Sequence, residues 1–480
     1  MSREQATGLP PEERLGLVGR AALALTAWTE RWVPDAFIFA LLGTAIVVVA
    51  ALVWTPATAG QVVDAWGAGF WGLIPFTLQM SLIIITGHVL ATSTPMRKVI
   101  VTIARWPQTP RGAVALVAFF AMASSWFNWG FSLIFSAVLA REVARRVPRV
   151  DYRALAAASF AGLGSIWAQG LSGSAALQMA TPGALQPAIR TIVAADGLVP
   201  GGIIPFADTI FLWQSLVSVL VEIVVVTLVM WLATPPAGRA RTASDLGIDL
   251  TEREPAAPAG TNVPPGAWLE HSTILPIVVV VLGGAYLVRY FSRAPEALNA
   301  INLDIVNLSF LLLGFLLHRT PARLMRAVQD ATPAVWGVLL QFPFYAGIAA
   351  IITSTHLSER LAELFVSLST PTTFPALVAL YSAVLGVFVP SGGSKWVIEA
   401  PYVMAAAHSL KVHLGWMVVS YDLGEALANL IQPFWMLPVL GMLGLRARDV
   451  MGYTFVVFLA LTPVVLILVT LLGLTLAYPL

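Results

Sequence analysis

Polar and glycine residues interrupt the apolar stretches of this chain at four places, and they are of the types that can hold a carboxylate beside a small cation. One interruption is Val389-Pro390-Ser391-Gly392-Gly393-Ser394-Lys395-Trp396, between the apolar runs 373–389 and 396–410. A second is Ser124-Ser125-Trp126-Phe127-Asn128-Trp129-Gly130, in the middle of the apolar run 113–140. The others are Gln169-Gly170-Leu171-Ser172-Gly173-Ser174 and the segment holding Asp422, Glu425, Asn429, Gln432 and Pro433. Hydroxyls and carboxamides both donate and accept, and glycine lets backbone N–H groups approach a ligand closely. At the tip of a helical hairpin a helix C-terminus meets a helix N-terminus. The first end favours a cation and the second an anion, so both can share one site.

On these grounds the candidate substrate contacts are Asn128, Ser172, Gly173, Ser174, Ser391, Gly392, Gly393, Ser394 and Lys395. The candidates for ion coupling are Asn128, Ser391, Glu425 and Asn429, with a sodium site at the hairpin tips whose ligands are unassigned. A single Gly-Ser pair reads equally well as close helix packing; opposed pairs at two tips are what favour a site. Lys395 can neutralise a carboxylate, take the place of a cation, or pair with Glu399 four residues on. Glu425, read as lying in a break beside Asp422 and Asn429, is the better proton carrier, although a helix cap or a core network would also use it. Glu222 reads as a structural partner or an oligomer contact and His88 as interfacial, while Trp126, Trp129 and Trp396 can form an apolar wall.

The elements that position these residues follow from composition. The chain has 480 residues, 58% hydrophobic and 11% charged, against about 25% charged in ordinary globular chains. This predicts an all-α polytopic membrane protein. Residues 1–35 form a cytosolic N-terminus with an interfacial amphipathic helix at 15–32. Apolar runs at 36–54 and 70–90 are long enough to span, since crossing needs roughly 20 residues. The run 113–146 is too long for one crossing and reads as two arms of about 14 residues meeting at a polar tip, a re-entrant hairpin. The region around Ser391 has the same construction, and the runs 152–182 and 415–443 read as broken spanning helices. A Pro-rich linker at 234–271 separates a first repeat, 36–233, from a second, 272–480. Shifting the first by about 262 residues places Gln79 on Gln341 and Asn128 on Pro390 beside Ser391.

Charge sets the orientation. With the N-terminus inside and nine crossings, Arg and Lys crowd the cytosolic loops, leaving Arg190, Arg289, Arg293, Arg360 and Lys411 outside with the C-terminus. The extra span near Ser272 inverts the second repeat. A net charge of +2 gives no reason to expect nucleic acid as a partner, and the bilayer is the expected surroundings. Without Cys, an H-E-x-x-H motif or a sizeable soluble domain, no enzyme and no cofactor is expected beyond a coupling proton or sodium ion.

Several strings carry a family resemblance. They are Trp66-Gly67-Ala68-Gly69-Phe70-Trp71, Thr86-Gly87-His88, Asn128-Trp129-Gly130-Phe131, Ala140-Arg141-Glu142-Val143-Ala144-Arg145-Arg146-Val147-Pro148, Ser172-Gly173-Ser174 and Ala180-Thr181-Pro182-Gly183. In the second half they are Gln341-Phe342-Pro343-Phe344-Tyr345-Ala346-Gly347, Pro390-Ser391-Gly392-Gly393, Trp396-Val397-Ile398 and Gln432-Pro433-Phe434-Trp435. From about Trp28 onward the chain resembles the bacterial short-chain fatty acid transporters of the acetoacetate and butyrate type, within the ion-transporter superfamily. The resemblance implies uptake of a short monocarboxylate across the bacterial cytoplasmic membrane, driven by protons or sodium through alternating access, in a homodimer. The rival substrate is another organic anion, such as a dicarboxylate. The chain departs from the family pattern where some relatives carry His at Lys395 and Gln at Glu399. Spaced as i and i+4, the two new residues can form an ion pair.

Overall fold

A computed structural model describes residues 36–250, 266–295, 297–298, 300–389, 391–432 and 434–480. The expected amphipathic helix at 15–32 lies outside the described residues. Twenty-one α-helices make up the described chain. In the first half they are α1 (Ala36–Trp54), α2 (Ala59–Gly69), α3 (Ile74–Ala91), α4 (Thr94–Ile103), α5 (Pro110–Phe127), α6 (Trp129–Arg146), α7 (Tyr152–Ser165), α8 (Ser174–Ala180), α9 (Pro187–Val193) and α10 (Trp213–Ala233). After a short α11 (Ala267–His271) and α12 (Ile274–Arg293) come α13 (Leu303–His318), α14 (Pro321–Ala331), α15 (Trp336–Ser354), α16 (Leu357–Leu368), α17 (Phe374–Phe388), α18 (Gly392–Leu410), α19 (Leu414–Asn429), α20 (Leu437–Leu443) and α21 (Ala447–Gly473). Among the described residues, α3, α5, α10, α12, α15 and α21 are long and apolar enough to cross a membrane, as is the bent pair α7 and α8.

The duplication extends over consecutive elements. The first residues of α2 through α7 precede those of α14 through α19 by 262 to 264 residues. The repeats also exchange neighbours: α15 packs on α1 and α2, and α3 packs on α13 and α14. Each outer helix pair therefore supports the opposite repeat. A fold in which neither half buries its own scaffold is a fold in which neither half is complete alone.

Both re-entrant hairpins are present. In the first, Asn128 alone separates α5 from α6, and the Ser132 hydroxyl donates to the Ala121 carbonyl at 2.7 Å, which fixes the antiparallel return. Its arms are 18 residues each rather than about 14, roughly 27 Å at 1.5 Å per residue. Asn128 permits so sharp a reversal because its extended backbone ends one helix while its carboxamide caps the next, accepting the N–H of Phe131 at 2.7 Å. The second hairpin joins α17 to α18. Its arms face each other through Tyr381 and Tyr402 and through Ser382 and Glu399.

The two broken helices differ in where they break. α7 bends by 44° into the segment leading to α8, and the break is held by glycine. A side chain on Gly170 would meet the Trp126 carbonyl, and one on Gly173 the Ala168 carbonyl. The second break was expected at 425–432, with Glu425 and Asn429 inside it; a break is present, but the structure corrects its start. Asp422, Glu425 and Asn429 all lie within α19, and regular α-helix stops only at Leu430, resuming in α20. Their polarity does not break the helix because it is satisfied sideways, by neighbouring elements. α10 begins at Trp213 and is preceded by a 3₁₀ turn at Phe206–Asp208.

The described part of the linker straps the ends of α6, α7 and α20 together. The Arg141 guanidinium donates to the carbonyls of Met442 and Asp249, each at 3.1 Å, and Arg145 to that of Leu250 at 2.6 Å. Asp151 caps α7 and also accepts the N–H of Arg241 at 3.1 Å. Exposed Asp245 accepts both the N–H and the hydroxyl of Thr242, which holds its carboxyl below the usual carboxylate range. Arginines that the sequence reads as topological charge thus have a second, structural use.

Candidate functional site

The hairpin tips and the helix breaks meet at a cavity of about 30 Å³. Its walls draw on both repeats: Met80 and Phe342, and Trp167 and Asn429, stand 262 positions apart, and Trp129 and Gly392 are the first residues of α6 and α18. Ser174, Gly392, Gly393 and Trp435 complete the region around the tips. Both repeats therefore line the cavity, but they do so differently. The first repeat contributes an indole at Trp167 where the second contributes the carboxamide of Asn429, and an indole at Trp129 where the second contributes Gly392.

The tips also differ in their free donors. The N-terminus of α6 is capped by Asn128, whose carboxamide N–H reaches the Ile83 carbonyl at 3.4 Å, so both ends of that side chain are engaged. The N-terminus of α18 has no side-chain cap. The N-cap Ser391 hydroxyl instead bonds that of Ser394 at 2.9 Å, and Ser391, Gly392 and Gly393 border the cavity. Uncapped N–H groups at a helix start form an anion site without further devices.

Of the remaining candidates, Asn429 lines the cavity and the others surround it. Ser172 accepts the N–H of Trp129 at 3.0 Å and ties the first break to the first tip. Gly173 precedes α8, and Gln178 of α8 donates to the Gly393 carbonyl at 2.8 Å, tying the same break to the second tip. Asn429 donates to the Leu163 carbonyl at 3.0 Å and accepts from Gln432 at 2.7 Å, joining the two broken helices. Trp396 stacks on Tyr421 with ring centroids 4.7 Å apart and is buried behind the tip. Glu222 faces inward, accepting from Gln169 of the first break at 2.7 Å.

Lys395 lies one turn below the second tip and is 0% exposed, as is Glu399; Glu425 is 1% exposed. The Lys395 ammonium is 2.5 Å from a Glu425 oxygen and 3.4 Å from a Glu399 oxygen, and it donates to the Ser382 carbonyl at 2.6 Å. Tyr421 stands beneath it, 4.7 Å from ammonium to ring centroid, and donates its hydroxyl to the Gly392 carbonyl. The sequence revealed the Lys395–Glu399 spacing but not Glu425 as the nearer partner, because that contact crosses between two helices. Trp167, Trp435, Met80 and Phe342 were also missed as lining residues. The 262-residue offset that aligned Gln79 with Gln341 also aligns Met80 with Phe342 and could have exposed that pair.

The family model described as "Short chain fatty acid transporter" matches residues 17–472. A short-chain fatty acid transporter so named from Escherichia coli (strain K12) is 39% identical over 91% of this chain and 96% of its own. One from Haemophilus influenzae is 35% identical over 94% of this chain and 99% of its own. Among solved structures, the YdaH transporter of Alcanivorax borkumensis, noted for an unusual topology, superposes with a TM-score of 0.59 at 17% identity, covering 92% of this chain and 98% of that one. MtrF of Neisseria gonorrhoeae superposes with a TM-score of 0.54 at 14% identity, covering 95% and 97%. At those identities the likeness is one of fold. Matches along nearly the whole chain, together with hairpins, breaks and a central cavity formed from the motif residues, lead to one assignment: this multi-pass membrane protein belongs to the short-chain fatty acid transporter family.

Proposed function

We propose that the protein imports short monocarboxylates such as butyrate or acetoacetate, coupled to an inward cation gradient, by alternating access. The observation that carries this reading is the two-sided cavity, with the indoles of Trp129, Trp167 and Trp435 on one side and the uncapped start of α18 on the other. A single helix N-terminus suits a single carboxylate, and among the described residues no arginine borders the cavity to take a second in bidentate fashion. The rings of Trp129, Trp167 and Trp435 then face a short apolar tail. In this arrangement Ser391, Gly392, Gly393 and Ser394 receive the carboxylate, Asn128 and Ser172 position the first tip, and Asn429 joins the broken helices. A cavity of about 30 Å³ is small for butyrate, which has six heavy atoms, so on this reading the tips separate to admit it. Tip opening of that kind is what alternating access requires.

The reading carries its own tests. Proteoliposomes should accumulate labelled butyrate under an imposed proton or sodium gradient. If no monocarboxylate moves under either gradient, the reading falls. Each buried CH₂ is worth about 0.8 kcal/mol, so butyrate should compete for uptake roughly tenfold better than acetate; equal competition would remove the indoles from the site. Ser391→Ala should weaken apparent affinity with little change in thermal stability. Asn128→Ala should do the reverse, costing about 1 kcal/mol of stability through loss of the cap. The reading also takes the N-terminus as cytosolic and the transporter as a homodimer. In α12 only Pro276 is buried, so its surface is open to lipid or to a second copy.

A further inference from the structure

We propose that the coupling ion is a proton carried by Glu425, with Lys395 as its built-in counter-ion. The inference rests on the transport reading above and specifies its energy source.

The first argument comes from comparing the repeats. Aligned on the helix starts, 263 residues apart for α6 and α18 and 262 for α7 and α19, Lys395, Glu399, Asp422 and Glu425 correspond to Ser132, Ser136, Phe160 and Leu163. The first repeat forms the same hairpin and broken helix with no charged side chain at any of the four places. The fold therefore does not require the charges. Buried ion pairs are commonly no better for stability than well-packed apolar residues, which leaves function as the reason for this cluster.

The second argument is charge balance. Three carboxyl groups, Asp422, Glu425 and Glu399, surround one ammonium, and all four residues are buried. Ionised together they would leave an excess of negative charge at membrane depth, which is costly unless protons offset it. A sodium ion is a poor substitute, because the Lys395 ammonium already occupies the position between the Glu425 and Glu399 oxygens. A proton needs only a lone pair.

The third argument is position. Each element packed on Glu425 can be examined in turn. α18 presents Lys395 and Glu399; α19 itself carries Asp422 and Tyr421. α17 approaches with Gly386, where a Cβ would lie 2.9 Å from the Glu425 carboxylate. On the cavity side, a Cβ on Gly392 would lie 3.2 Å from Glu425 Cγ and 2.5 Å from the Trp167 ring. Glu425 therefore sits directly behind the backbone assigned to the substrate carboxylate. Glu399 lies a turn deeper and is held by the Ser382 hydroxyl at 2.7 Å, so it fixes the lysine and is not the carrier.

The step balances simply. Glu425 takes one proton on a carboxylate oxygen and its pairing with Lys395 ends. Lys395 stays protonated, bonded to Ser382 and Glu399. The second hairpin is then released from α19, and the positive charge left on Lys395 favours an anion at the tip. One proton and one carboxylate move together, with no net charge transferred.

The test uses full-length protein. In the ligand-free state, acidifying from about pH 8 to about pH 6 should add a protonated-carboxyl infrared band. Glu425→Gln should lose that band and Glu399→Gln should keep it. In proteoliposomes an imposed pH gradient should drive labelled butyrate accumulation by the wild type. Glu425→Gln should only equilibrate it, while still exchanging butyrate for butyrate. Retention of the band or of pH-driven accumulation by Glu425→Gln overturns the inference. The triple variant Lys395→Leu, Glu399→Ala, Glu425→Leu removes the ammonium together with both of its paired carboxylates and guards against misfolding of the single variant; it too should lack both signals. If the wild type moves no butyrate at all, the transport reading fails, and the infrared band still decides whether Glu425 is the protonating group.

Discussion

Lys395→Leu is expected to destabilise the protein by about 3–5 kcal/mol, the usual loss when one partner of a buried ion pair is removed. The side chain is wholly buried, and it is the ammonium paired with Glu425 and Glu399. Removing it strands carboxylates that the surrounding apolar wall cannot solvate. The same reasoning gives the companion result. Adding Glu399→Ala and Glu425→Leu should restore most of the lost stability, because it removes the two carboxylates that the missing ammonium would strand, and the first repeat forms the same elements with uncharged Ser132, Ser136 and Leu163 at those places. Thermal unfolding of purified protein in detergent, read by intrinsic fluorescence, would measure both. A single variant as stable as wild type would mean that the carboxylates do not need the ammonium. A triple variant no better than the single one would mean that the charges are structural, which would remove the argument from the repeat.

How much of this was legible in sequence depends on whether a feature is local. The four polar interruptions were visible because hydroxyls, carboxamides and glycines stand out in an apolar background, and the hairpin at Asn128 lies in the middle of its interruption. The repeat was visible because duplication preserves spacing. The limits of α19 were not, since polarity alone cannot distinguish a helix break from a helix whose polar side chains find partners across an interface. Asp422 and Glu425 look like a break in a row of letters and are helix in space, where Lys395 reaches Glu425 from α18. The helices α14 and α16 were passed over because they are too short to span. Their periodicity was present all the same: Leu324, Ala327 and Ala331 are buried on one face, as are Leu357, Ser358, Ala362 and Phe365. The exchange of scaffold helices between repeats has no local signature at all, since α3 meets α13 through pairs such as Gln79 and Asn307, 228 residues apart.

Gly392→Val should reduce transport about 100-fold or more while leaving the protein folded. Gly392 is the first residue of α18, it borders the cavity, and its carbonyl accepts the Tyr421 hydroxyl. Even a methyl group there would lie 2.5 Å from the Trp167 ring, too close for either to stay in place. Trp167 belongs to the first break, so the strain falls on the contact between one repeat's tip and the other's broken helix. Displacing a positioned group by about 1 Å can cost a hundredfold in rate, and the cavity has only about 30 Å³ in which to absorb the side chain. The fold should survive because overpacking at one site typically costs about 1–3 kcal/mol and the Trp167 ring can rotate away. Gly67→Ala is the control, since a Cβ there meets nothing within 4 Å. Butyrate uptake and thermal unfolding measured on both variants separate the possibilities. Loss of uptake at near-normal stability locates the substrate at the junction of the tips and breaks. Normal uptake by Gly392→Val would move it elsewhere, because no ligand could occupy that junction beside a valine without competing for the same volume.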